Sequence, residues 1–250
     1  MSDLNVIAAG DGPGLLFIHG AGGNVGAWDA QFRAFAPRHR VIAYDLPGFG
    51  RSVAPDAATF ADHFAAAGAA ALDAAGVARA TVVGQSLGGW SALRLALAHP
   101  DRVERLVLCC TMAGIAHPPA LAAFAAAREQ MGTRGPSALA LPEAFRVAQP
   151  AAGALYDLIT AGNPPLDPTL GALVFAPDVL VPVARLAEVQ CPVLLLAGEH
   201  DAIWPPASLA GLVPAFRAAR MHVFAGSGHS PYFEMPAAFN AVLADFIEAA

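Results

Sequence analysis

The chain has 250 residues, with 14 basic and 20 acidic side chains and a formal net charge of −6. Every basic residue is arginine and there is no lysine, which excludes Schiff-base and pyridoxal-phosphate catalysis, a Walker lysine and a Ser-Lys dyad. The acidic balance, with a pI near 5.7, argues against a nucleic-acid partner.

The hydrophobic share of 56% and the mean hydropathy of +0.50 first suggest a membrane. Much of that share is alanine, which favours helix but adds little apolar area per residue. No long, strongly apolar run occurs, and Met1-Ser2-Asp3-Leu4-Asn5 has no basic leader. The expectation is a soluble, cytoplasmic protein with no membrane partner. Cys109, Cys110 and Cys191 form no disulfide or metal pattern and read as buried small hydrophobes.

In chain order, a first strand is missing or reduced to about residues 5–8. Short apolar runs at 15–18, 41–44, 81–83, 106–110, 193–196 and 221–224 each end in a glycine or polar turn. Such runs, lacking polar alternation, fit strands covered on both faces. Helical patterns at 60–75, 87–98 and 236–249 lie between or after them. Alternating strands and helices predict an α/β fold with a mostly parallel central sheet and helices on both faces. Residues 113–185 break the alternation with proline-punctuated helical pieces and no convincing strand. They read as an inserted helical cap, leaving 1–112 and 186–250 as the core.

After the third of these predicted strands comes Gly84-Gln85-Ser86-Leu87-Gly88-Gly89, running directly into a helix. It fits the glycine-x-serine-x-glycine elbow in its required strand-turn-helix context. Flanking glycines let strand and helix close on each other, lifting the Ser86 hydroxyl beyond the sheet edge. Serine is a weak nucleophile at neutral pH and needs a base. His229, in Gly226-Ser227-Gly228-His229-Ser230, follows the last predicted strand, and Asp201 follows the strand before it. Asp201 would orient the ring and stabilise the imidazolium. Glu199 and Asp45 are rival acids. Glu199 points elsewhere on an extended strand end, and Asp45 suits turn hydrogen bonding or pairing with Arg51.

The glycine-rich loop His19-Gly20-Ala21-Gly22-Gly23 follows the run at 15–18. It lets backbone approach a substrate oxygen, so the expected oxyanion donors are the backbone N–H groups of Ala21 and Leu87. His19 is expected to fix that loop through ring hydrogen bonds. Trp204, Tyr232, Trp28 and Phe49 lie near motif ends and are candidate substrate contacts, with core packing as the alternative for each. Arg128, Arg134 and Arg146 are candidates for a substrate carboxylate, with exposed helical arginine as the alternative.

These motifs, with Asp45 to Ser52, Ala98-His99-Pro100 and Gly198 to Asp201, make nearly the whole chain resemble the α/β-hydrolase superfamily. It is most similar to small bacterial carboxylesterases, enol-lactonases and carbon–carbon bond hydrolases of aromatic degradation. The resemblance implies a Ser-His-Asp hydrolase with a helical cap, no metal and no cofactor. Its substrate would be a small, largely apolar ester or lactone. Carbon–carbon hydrolases usually carry asparagine before the nucleophile, an aromatic residue after the histidine and a glycine-proline-glycine loop. Here those positions hold Gln85, Ser230 and Gly22-Gly23-Asn24. Carbon–carbon bond hydrolysis is therefore the alternative reading. A non-turnover ligand receptor on the same scaffold is a second.

Overall fold

The computed structural model describes residues 4–56, 59–131, 139–165 and 169–249. In chain order its strands are β1 (Val6–Ala9), β2 (Gly14–Ile18), β3 (Arg40–Tyr44), β4 (Ala80–Gln85), β5 (Val103–Cys109), β6 (Ile115–Ala116), β7 (Val181–Pro182), β8 (Val193–Gly198) and β9 (Ala219–Phe224). Its α-helices are α1 (Asp29–Phe35), α2 (Phe60–Ala74), α3 (Leu87–Ala98), α4 (Pro118–Met131), α5 (Glu143–Ala148), α6 (Pro150–Ala161), α7 (Leu170–Val174), α8 (Pro206–Ala210), α9 (Pro231–Glu234) and α10 (Pro236–Glu248). Seven strands form one sheet in the order β1-β3-β2-β4-β5-β8-β9. All neighbours are parallel except β1 and β3. The fold is therefore the mostly parallel α/β sheet that the apolar runs predict.

The absence of polar alternation has a direct cause. Along β2, Leu16 and Ile18 join the core on the side of α2 and α3, with Phe64, Leu72 and Leu93. Leu15 and Phe17 join the opposite core, with Phe35 of α1 and Phe239, Leu243 and Phe246 of α10. Both faces are covered, so every β2 position is buried. Each large side chain so buried contributes roughly 1.5–3 kcal/mol. The two edge strands are the exceptions: Ala8 of β1 and His222 and Val223 of β9 are exposed.

Register then aligns the strand ends. Ile18 pairs with Gly84, Gly84 with Leu108, and Leu108 with Leu195. The turns after β2, β4, β5, β8 and β9 consequently emerge along one edge, where open parallel sheets place their ligand sites.

Helices α4 to α7 lie between β5 and β8. This stretch also holds a feature its sequence gives no sign of: β6 and β7 pair in parallel, Ile115 with Val181 and Ala116 with Pro182. Two residues each are too few for a readable pattern. No helix among the described residues is long and apolar enough to cross a membrane. Cys109, Cys110 and Cys191 are free and buried.

Candidate active site

Ser86 stands between β4 and α3 with φ +50°, a left-handed conformation that costs a non-glycine residue about 1–3 kcal/mol. Its backbone is over-determined by its surroundings. The Ser86 amide donates to the Cys109 carbonyl at 2.9 Å, and its carbonyl accepts from the Gly89 amide at 3.0 Å. The Thr111 hydroxyl donates to the same carbonyl at 2.5 Å. Close approach explains two of the surrounding glycines. A Cβ on Gly88 would overlap the Ile18 carbonyl, and one on Gly20 would lie 2.8 Å from the Ser86 Cβ. The loop after β2 is thus pressed against the elbow.

Asp201 and His229 are brought together by the β8–β9 pairing. His229 Nδ1 lies 3.0 Å from Asp201 Oδ1 and 2.9 Å from Oδ2. Both residues are buried, at 4% and 3% exposure. A buried carboxylate needs donors, and Oδ1 also accepts the amides of Ile203 at 2.8 Å and Trp204 at 3.0 Å. Nδ1 is the ring nitrogen that faces the carboxylate, so it is the donor of this pair.

The backbone of His229 is also fixed on both sides. Its carbonyl accepts Gln85 Nε2 at 3.0 Å, so the residue before Ser86 holds the residue expected as its base. Glu234 spans the flanking amides, with Gly228 N–H on Oε2 at 2.7 Å and Ser230 N–H on Oε1 at 2.8 Å. Burial raises the Glu234 carboxyl above its ordinary range, outweighing the two amides that oppose it. Gln85 and Thr111 act through backbone contacts far apart in sequence, and Glu234 through two local amides, so no motif spacing marks them. A lone acid five residues after the histidine was the available hint of Glu234.

His19 reads clearly from its bonds. Nε2 accepts the Leu46 amide at 2.9 Å, which leaves Nδ1–H to donate to the Gly20 carbonyl at 2.8 Å. Burial lowers the His19 pKa, and the Gly20 contact and Asp45 oppose this, so the ring is held neutral. The Gly23 amide donates to the same Gly20 carbonyl at 3.0 Å. No cis peptide occurs among the described residues, so the Ala21 N–H points away from that anchored carbonyl. The Leu87 N–H sits in the first turn of α3, where amides lack partners within the helix.

The rival acids have other tasks. Glu199 accepts the Gly226 amide at 2.8 Å. Asp45 accepts the amides of Val25 and Arg51 and the Asn5 side chain. Its link to Arg51 is thus a turn hydrogen bond to backbone.

The aromatic candidates divide. Trp204 stacks on Phe124 of α4, with ring centroids 4.8 Å apart and planes 10° apart, and Phe175 lies nearby. Phe49 packs edge-on to His19 at 5.5 Å. Trp28 and Tyr232, read from sequence as possible substrate contacts, are 0% and 1% exposed. Their rings lie 4.3 Å apart in the core between the sheet and α10, while Trp204 and Phe49, 4% and 3% exposed, are buried in the other core. Arg146 pairs with Asp157 at 2.9 Å. Arg134 and the side chain of Arg128 lie outside the described residues.

Cys110, Asp201 and His229 form a cluster whose ligand-type atoms lie within 4.8 Å of one another. The carboxylate and the ring already satisfy each other, and burial keeps the Cys110 thiol protonated. The chemistry of this set is that of a hydrogen-bonded acid–base pair beside a neutral thiol.

Comparison with known proteins agrees with this architecture. Residues 15–242 match the alpha/beta hydrolase family. The chain is 30% identical to the pimeloyl-[acyl-carrier protein] methyl ester esterase of Nitrosomonas europaea, over 96% of this chain and 97% of that one. It is also 30% identical to the 2-hydroxymuconate semialdehyde hydrolase of a Pseudomonas strain, over 97% and 89% of the two chains. A solved structure described as an N-acyl homoserine lactone degrading enzyme superposes with a TM-score of 0.77 at 29% identity, covering 97% of this chain and 96% of that one. A left-handed serine elbow, a buried Asp–His pair at the same sheet edge and this match to nearly the whole chain lead to one conclusion: the chain belongs to the alpha/beta hydrolase family.

Proposed function

We propose that the protein hydrolyses a carboxylic ester or lactone of a small, largely apolar molecule through an acyl-enzyme on Ser86. The observation that carries this is the buried Asp201–His229 pair, joined through Nδ1 and tied through Gln85 to the serine elbow. His229 Nε2 takes the Ser86 proton as the hydroxyl oxygen attacks the carbonyl carbon. Asp201 stabilises the imidazolium that forms. The Ala21 and Leu87 N–H groups receive the developing oxyanion, each donor worth roughly 3–4 kcal/mol in the transition state. Collapse of the intermediate expels the alcohol, which takes the proton from His229. Water then releases the acyl group by the same roles.

Residues 113–185 act in this reading as a cap over the site. The stack of Trp204 on Phe124 supports an apolar lining where cap meets core, with Trp204 and Phe49 as aromatic contacts. The relatives that act on a methyl ester and a lactone support the bond type. The relative acting on 2-hydroxymuconate semialdehyde favours a second reading, carbon–carbon bond hydrolysis on the same residues.

A chain-length series of p-nitrophenyl esters, run beside an aromatic ring-fission product, separates the two. Ester turnover that rises from acetate toward medium chains and vanishes in Ser86→Ala supports the first reading. Fast turnover of the ring-fission product with negligible ester activity replaces it with the second.

A further inference from the structure

The loop expected to supply the oxyanion donor is held from outside the core. The Thr160 hydroxyl, on the last turn of α6, donates to the Gly22 carbonyl at 2.7 Å. In a trans peptide the N–H points opposite to the carbonyl, so anchoring Gly22 C=O turns the Gly23 N–H the other way. That N–H donates to the Gly20 carbonyl at 3.0 Å. The same rule applied to the next plane aims the Ala21 N–H away from Gly20 C=O. Two peptide planes thus connect a side chain of the insertion to the proposed donor.

Two further bonds join the same segments, and a third ties Asn163 to the turn at Gly50. Asn163 Nδ2 donates to the Gly23 carbonyl at 3.1 Å, and Asn163 Oδ1 accepts the Gly50 amide at 2.9 Å. Asn24 Nδ2 donates back to the Ile159 carbonyl at 2.8 Å. Glycine is the least constrained residue, and this loop has three of them at 20, 22 and 23. Its shape therefore depends on external partners more than on its own backbone preferences. His19 supplies one partner from the core, and the end of α6 supplies the others.

We propose that Thr160 and Asn163 are positioning residues, through which α6 aligns the Ala21 N–H for the transition state. The proposal rests on the serine-hydrolase reading above. It makes oxyanion stabilisation conditional on α6 being docked, while the Asp201–His229 pair, which shares none of these bonds, stays formed. The insertion then does more than cover the substrate: its seating completes the catalytic machinery.

The test compares Thr160→Val and Asn163→Asp with wild type. Valine keeps the shape of threonine without its donor. Aspartate keeps the acceptor for Gly50 and loses the donor to Gly23. Each protein is titrated with a fluorophosphonate so that rates refer to competent sites. We expect kcat to fall by roughly tenfold or more in Thr160→Val, from misplacement of one donor, with KM within about twofold. Affinity for an alkyl trifluoromethyl ketone, which adds to the serine as an oxyanion, should fall by the same factor as kcat/KM. Thr160→Ser should restore both, Asn163→Asp should move them in the same direction, and Leu158→Gln, on the exposed side of α6, should change neither. A purely structural role would lower the fraction of active sites and leave per-site kcat and ketone affinity intact. That result, or wild-type values in both variants, overturns the proposal. Should Thr160→Val not fold, Asn163→Asp carries the test. Failure of wild-type protein to label on Ser86 would instead overturn the hydrolase reading, and the proposal with it.

Discussion

Asp201 Oδ1 accepts three N–H groups, from Ile203, Trp204 and His229, and this crowding determines what substitution there does. In Asp201→Asn the two backbone amides demand the oxygen at that position. The new NH2 then faces the ring, which must offer an unprotonated Nδ1 and carry its proton on Nε2. The base is lost with little change in shape. We predict a fall in kcat of about 10³–10⁴ with KM nearly unchanged, which follows from the proposed role of Asp201 in fixing the tautomer. Glu234→Gln should be milder. One carboxylate oxygen becomes an N–H facing the amide of Gly228 or Ser230, which displaces the His229 backbone. We predict about a tenfold loss of kcat, with KM within about twofold, measured by steady-state ester hydrolysis. At this scale the sequence marks the candidate residues that carry motifs. Ser86, His229 and Asp201 are marked by glycine spacing and by position after apolar runs. Glu234, Thr111, Thr160 and Asn163 were not, because each acts on a backbone group that any sequence could supply.

Helix α3 does two tasks. Its first residue follows the elbow, and its side holds the stem of the insertion. Trp90 Nε1 donates to the Val174 carbonyl at 3.1 Å. Arg94 donates to the carbonyls of Ala113 and Val179, on either side of the inserted helices. Its guanidinium lies 3.2 Å from the centre of the Trp90 ring. No carboxylate is among these contacts, and both burial and Arg185 pull the Arg94 pKa down, so its role is to satisfy buried carbonyls. Arg94→Met keeps the length and removes the donors. We predict a loss of about 2–3 kcal/mol in urea unfolding, the range for charged hydrogen bonds and unsatisfied buried acceptors. Unchanged stability would refute the clasp. Elements were readable where both faces are covered: residues 87–98 match α3 end to end, and the other predicted strands and helices fall within a few residues of their observed bounds. The pair β6 and β7 was unreadable because two residues carry no period. The edge strand β9 was read short, its partly exposed start at Ala219 lacking an apolar run.

Across the whole molecule, the alanine-swollen hydrophobicity is explained by two cores on one sheet. Alanines such as Ala67, Ala71, Ala92 and Ala96 let α2 and α3 pack closely, and no membrane is needed to account for them. Global stability should carry a mark of the site. The neutral His19 has a folded pKa below its ordinary 6.5, so the unfolded chain binds its proton more readily. Its contribution is fully present above about 6.5 and is lost as pH falls below that value. We predict that Tm drops on going from pH 7 to 5, and that the slope is shallower in His19→Asn. An equal slope in the variant would exclude His19 as a cause. Specificity was the part least legible in sequence or fold, since in the proposed reading it depends on which side chains of 113–185 meet the substrate. The sharpest test of the central claim is fluorophosphonate labelling followed by peptide mapping. The mechanism predicts one adduct, on Ser86, absent in Ser86→Ala and strongly reduced in His229→Ala. Labelling at another residue, or none in folded protein, would contradict it.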